Sequence, residues 1–111
     1  MSGERKEEIT RAEVEVFRDV ASRHDWNGWT TNAAISGRLA ASGRRLAAKT
    51  VSAKTSKLTR VGVLECARLD PAFTYRLAVP PDPGYVALLT VAAEAFGAPL
   101  PDLPGASESS P

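Results

Sequence analysis

Leu46-Ala47-Ala48-Lys49-Thr50-Val51-Ser52-Ala53-Lys54-Thr55-Ser56-Lys57-Leu58-Thr59-Arg60-Val61-Gly62-Val63-Leu64-Glu65 is the stretch on which the fold turns. Ala47, Val51, Leu58 and Val61 recur at spacings that put them on one side of a helix over about 47–61, with Leu46 just before it. Gly62 follows the last inward residue, where a helix end favours a residue that tolerates the left-handed backbone. The opposite side carries Lys49, Thr50, Ser52, Ala53, Ser56 and Lys57, which are short or cationic. Such a helix is held by one stripe and offers the other, without bulk or negative charge, to a polyanion.

Downstream, Val63–Leu69 and Phe73–Val79 have strand character. In the second run Phe73, Tyr75, Leu77 and Val79 alternate with Thr74, Arg76 and Ala78, and Asp70-Pro71-Ala72 between the runs makes a hairpin turn. Pro80-Pro81-Asp82-Pro83-Gly84 is a stiff connector, with Asp82 as N-cap and Pro83 at the first helical position. The helix that follows, Tyr85 to Phe96, is apolar on nearly every side and is closed by Gly97. Residues 98–111 are Pro, Ser, Gly and acid with few apolar residues, and are expected to form a disordered tail.

Upstream, Thr31 or Asn32 caps a helix whose buried side is Ala34, Ile35, Leu39 and Ala40, and Ser42-Gly43 breaks it. Trp29-Thr30 is a candidate very short strand after the Asn27-Gly28 turn. Residues 5–24 read as a first helix, with Ile9, Ala12, Val16, Phe17, Val20 and Ala21 inward and Glu7, Glu8, Glu13 and Glu15 on a solvated face. The expected fold is mainly α with a small β-hairpin wing, in the order α-β-α-α-β-β-α, as one domain over 1–97. No internal repeat is present.

The net charge of +1 conceals a strong asymmetry. Residues 26–64 hold seven bases (Arg38, Arg44, Arg45, Lys49, Lys54, Lys57 and Arg60) and no acid, while the flanks are net acidic. A segment of that kind attracts a polyanion.

Three pieces then fall in order: Leu46 to Ser52, Lys57 to Glu65, and Phe73-Thr74-Tyr75-Arg76-Leu77. Together they resemble the winged helix-turn-helix domains of bacterial regulators over about residues 8–96, with a layout most like the small dimeric regulators of the ArsR and MarR types. The resemblance implies a recognition helix in the DNA major groove, where base edges carry distinct donor and acceptor patterns. Lys49, Thr50, Ser52, Ala53, Ser56 and Lys57 would face the bases. Lys54, Lys57 and Arg60, with Arg38, Arg44 and Arg45, would meet phosphates, and Arg68 and Arg76 on the wing would contact backbone or minor groove. Two departures stand out. Thr55 occupies a usually apolar position, which predicts a less firmly anchored helix. The turn over 41–45 is longer than the minimal one.

The expected activity is sequence-specific binding of double-stranded DNA by a dimeric transcriptional regulator, not an enzyme. The alternatives are a DNA-tethering accessory of a plasmid or phage, and a winged helix used for protein contact. No Ser/His/Asp arrangement, phosphate loop or catalytic carboxylate pair is visible. No cofactor is expected, and one Cys with one distant His predicts no metal site. Cys66 reads as a small core residue, His24 as a helix-end dipole partner, and Trp26 and Trp29 as packing residues. Without a signal peptide, a membrane span or a Cys pair, a cytoplasmic, nucleoid-associated protein is expected. A homodimer is expected because the last helix has two apolar faces. Its expected interface is Phe17, Val20, Leu88, Leu89, Ala92 and Phe96. An effector, if one exists, is not legible.

Overall fold

The computed structural model describes residues 9–22, 29–69, 72–78 and 80–101. Its elements are α1 (Arg11–Ala21), α2 (Asn32–Ala41), α3 (Ala48–Arg60), β1 (Leu64–Leu69), β2 (Ala72–Leu77) and α4 (Pro83–Ala95). This is the mainly helical fold with a small hairpin that the sequence predicts. The expected roles of His24, Trp26 and the Asn27-Gly28 and Asp70-Pro71 turns lie outside the described residues, as do residues 102–111.

Each helix starts and stops for a local reason. Thr10, Thr31 and Asp82 cap α1, α2 and α4, their side-chain oxygens accepting from the N–H of Glu13, Ala34 and Tyr85. Thr10 corrects the first helix: it begins at Arg11, not at residue 5, because Thr10 is extended and takes up one of the unpaired N–H groups. At the end of α3, Gly62 has φ 91°. It donates to the Thr59 carbonyl while Val63 donates to that of Leu58, the paired bonds of a Schellman cap. Gly43 and Gly97 close α2 and α4 with the same pair of bonds.

β1 and β2 pair antiparallel, with Leu64 opposite Leu77, Cys66 opposite Tyr75 and Arg68 opposite Phe73. The expected short strand is a single bridge, Thr30 to Tyr75, with both hydrogen bonds made, at 2.9 and 2.7 Å. Alternation therefore holds near the body, where Leu77 and Tyr75 are buried. It fails toward the tip, where Phe73 is 54% exposed and Thr74 is buried, its hydroxyl donating to the Ala67 carbonyl.

α1 is the central element, packed against α2, α3, α4 and β2. Glu13, Val14, Glu15, Val16 and Phe17 are consequently all buried. The expectation that Glu13 and Glu15 lie on a solvated face is wrong, because that face is covered by α3, α4 and the α2–α3 turn. Around α1 the core is filled by Val20, Ile35, Val51, Leu58, Val63 and Leu89, all essentially inaccessible. Ala34, expected inward on α2, is exposed. Residues 98–101 do not leave the body: Ala98 is buried, Leu100 packs on the core, and Arg18 donates to the Pro99 carbonyl.

Candidate nucleic-acid interface

Val51, Thr55 and Leu58 fix α3 to the body. Thr55 was expected to weaken that seat, but it is fully buried and its hydroxyl donates within the body. It is hydrogen-bonded to Asn32 Oδ1 at 2.8 Å and to the Ser52 carbonyl at 3.1 Å, tying α3 to the start of α2. Helical geometry then directs Lys49, Ala53, Ser56 and Arg60 outward in one row, and all four are exposed. The two cations are eleven positions apart, a span of about 16 Å along the axis. Between them lie only a methyl and a hydroxyl. Ser52 is exposed on one flank of the row, and Thr50 and Lys54 are half-buried on the other.

Beside this row the hairpin overhangs α3. Ser52, Ser56 and Thr59 from the helix and Cys66, Phe73 and Tyr75 from the hairpin line an open cleft of about 380 Å³. Cys66 is exposed there and is not the core residue expected of it, because the hairpin has already risen clear of α3 at that point. Arg68 is exposed near the tip, its guanidinium over the Phe73 ring at 5.4 Å.

The predicted cations divide into two groups. Arg38 donates to both carboxylate oxygens of Asp19, with the shortest contact 2.6 Å, and to the Thr30 hydroxyl. Arg76 is bound to Glu65 directly opposite at 2.9 Å, and stacks on the Trp29 ring at 4.3 Å. Lys57 reaches back to Glu13 at 2.8 Å and is 17% exposed. These three were expected to meet DNA. The structure gives them acid partners instead, since acids distant in sequence are adjacent in space. By contrast, no acid among the described residues lies in ion-pair range of Arg45, Lys49, Lys54, Arg60 or Arg68. Arg44 stands 3.0 Å from Glu15 and is 42% exposed.

Sequence reasoning missed the Glu13–Lys57–Tyr85 cluster that sets the back of α3. Glu13 is fully buried, accepting from Lys57 Nζ through one oxygen and from the Tyr85 hydroxyl through the other. Burial alone would lower the Lys57 pKa, but hydrogen bonding and attraction to Glu13 and Tyr85 outweigh it, so it is raised. The Tyr85 hydroxyl is pushed up to about 12 by burial and by the neighbouring carboxylate. Both partners of Glu13 are therefore locked in their ordinary protonation states.

The six residues expected to form a dimer interface are split. Phe17, Val20 and Leu89 lie in the chain's own core and offer nothing to a second copy. Ala92 and Phe96 are half-buried against that core, while Leu88 is 53% exposed.

Helix-turn-helix and overhanging hairpin together define a winged-helix fold. No protein-family model matches the chain, and no characterised protein matches it by sequence. Among solved structures the chain is similar to the ferric uptake regulator of Francisella tularensis, in a structure with iron. That match has 18% identity and a TM-score of 0.58, covering 86% of this chain and 84% of that one. The Vibrio cholerae ferric uptake regulator, whose structure is described as showing rearranged DNA-binding domains, matches at 9% identity and a TM-score of 0.58 over 86% and 85%. A chain from a structure of prokaryotic transcription factors matches at 21% and 0.55 over 86% and 88%. At these identities the likeness establishes the fold. Among the described residues no three His, Cys, Asp or Glu side chains converge to hold a metal ion, and no helix is long and apolar enough to cross a membrane.

Proposed function

We propose that the chain is a transcriptional regulator that binds double-stranded DNA through α3, acting by binding rather than catalysis. The observation that carries this reading is the outward row of α3, two exposed cations bracketing Ala53 and Ser56, with no acid partner for either among the described residues. A major groove about 12 Å wide admits such a helix, with a phosphate strand near each end of the row. The N-terminal half, Lys49 to Ala53 with Ser52, faces the base edges, and Arg45, Arg60 and Arg68 meet the backbone. The solved neighbours named as regulators support the reading at the level of fold. The iron of the Francisella neighbour finds no corresponding cluster among the described residues, and iron sensing is not proposed.

Among the described residues the exposed cations number five with Arg44 included, or six with Arg11. Fluorescence anisotropy on a random duplex should therefore weaken with salt at a log–log slope of about −4.5 to −5.5 per protomer. A flat response removes the DNA reading and leaves protein contact. Selection from a random DNA pool then separates a regulator, which enriches a defined site, from a DNA tether, which enriches none.

The partner that fits the reading is a second copy. Ala87, Leu88, Val91 and Ala95 form an exposed apolar face on α4, edged by the exposed Glu94 and opposite Tyr85, Leu89 and Ala93 in the core. An antiparallel pair of α4 helices sets Leu88 of one against Ala95 of the other, large against small, and gives two α3 helices a two-fold relation suited to a palindrome.

A further inference from the structure

Arg11, Arg44 and Arg45 line one open cleft of about 350 Å³ between α1 and the α2–α3 turn, with Glu15 among its walls. Three acids elsewhere on the body are closed by hydrogen-bonded partners: Asp19 by Arg38, Glu13 by Lys57 and Tyr85, and Glu65 by Arg76. Glu15 is different. It is 4% exposed. Three guanidiniums surround it: Arg44 Nε at 3.0 Å and Arg11 Nε at 3.6 Å from Oε2, and Arg18 Nη1 at 3.6 Å from Oε1. Yet Glu15 Oε2 accepts no hydrogen bond, and Arg18 donates its Nε to the Pro99 carbonyl instead. One buried negative charge thus gathers cations without engaging the N–H groups of Arg11 and Arg44. Those side chains are 58% and 42% exposed. Arg45 stands beside them, also exposed.

We propose that this cleft is a phosphate-binding site that takes a backbone phosphodiester of the duplex, extending the DNA contact from α3 to α1. The proposal rests on the DNA reading above. Among the described residues that line the cleft, three guanidiniums against one carboxylate leave an excess of two positive charges. Planar guanidiniums with open donors suit an oxyanion, to which arginine binds in two-toothed fashion. Position agrees. Leu46, two residues before α3 begins, lines the same cleft, so the site opens at the N-terminal end of α3. Glu15 keeps the arginines gathered when no phosphate is present, and the phosphate completes the bonding that Glu15 leaves open.

The test compares wild type, Arg11→Ala and Glu15→Gln in full-length protein, with circular dichroism confirming the fold. Arg11 is the first residue of α1 and half-exposed, so its loss leaves the core intact. Arg11→Ala should weaken binding to every duplex alike and lower the log–log salt slope by about 1. Glu15→Gln keeps the shape, removes the competing charge and should tighten binding several-fold at low salt. If wild type binds duplex but Arg11→Ala matches it in affinity and slope, the cleft is not a contact and the proposal falls alone. If wild type binds no duplex, the underlying reading falls. Inorganic phosphate, titrated alone and followed by the arginine side-chain NMR signals, separates the possible sources. Binding no tighter than millimolar agrees with a backbone contact, whereas micromolar binding makes the occupant a free phosphate compound and overturns the duplex assignment.

Discussion

Glu13 is a charged residue at the centre of the core, and it is kept there by two donors from different elements. A buried carboxylate stripped of a donor is costly, because nothing replaces the lost solvation. Tyr85→Phe removes one donor and should lower stability at pH 7 by about 1–3 kcal/mol, measured by urea unfolding. The pH dependence follows from the raised Tyr85 pKa, about 12 against 10.0. Folding favours the protonated phenol, so this contribution is complete below pH 10 and is lost as pH rises from 10 through about 12. Tyr85→Phe should reduce that alkaline loss; an identical loss in the variant would show that Tyr85 does not cause it. The same cluster explains why the row of cations on α3 was only partly legible. Lys57 carries the same charge as Lys49 in the sequence, but its position on the helix turns it to Glu13.

Element boundaries obey local rules closely enough to give opposite predictions for two glycines. Gly62 sits at φ 91°, and an added Cβ would lie 3.4 Å from Asp82 Cβ. Gly62→Ala should therefore destabilise by about 1–2 kcal/mol, the cost of a side chain in the left-handed region. Gly37 lies within α2 with nothing within 4 Å of an added Cβ. There Gly37→Ala should stabilise by about 0.5–1 kcal/mol through helix propensity. Thermal or urea melts of both variants check the pair, and equal signs would contradict the assigned caps. The caps at Thr31, Asp82 and Gly62 were readable in the sequence because each is a bargain within a few residues. The start of α1 was misread because charge and helix propensity continue upstream of Thr10 without a visible break.

For the molecule as a whole, the two faces of α4 have different fates. Leu89 is fully buried in the chain's own core, so Leu89→Glu should abolish folding and report nothing about association. Leu88 and Val91 are 53% and 69% exposed. Leu88→Glu and Val91→Glu should leave the fold intact, convert the proposed dimer to monomer in analytical ultracentrifugation, and weaken duplex binding by at least ten-fold. A wild-type monomer at micromolar concentration would remove the dimer, while DNA binding through α3 would stand on its own.

The sequence by itself determined the order of elements, the inward stripe of α3 and most of the helix ends, because these depend on periodicity and on neighbours a few residues away. It also located the basic segment and the two apolar faces of α4. It did not determine which face of α4 meets the core, which cations are free, or that α1 is covered on nearly every side. Each of those is a long-range matter. Asp19 meets Arg38, Glu13 meets Lys57 and Tyr85, and Glu15 meets Arg44 only when α1 is enclosed by α2, α3 and α4. Charge is fixed residue by residue along the chain, but its availability to a ligand depends on which opposite charges packing brings within a few ångströms, and only the tertiary structure decides that.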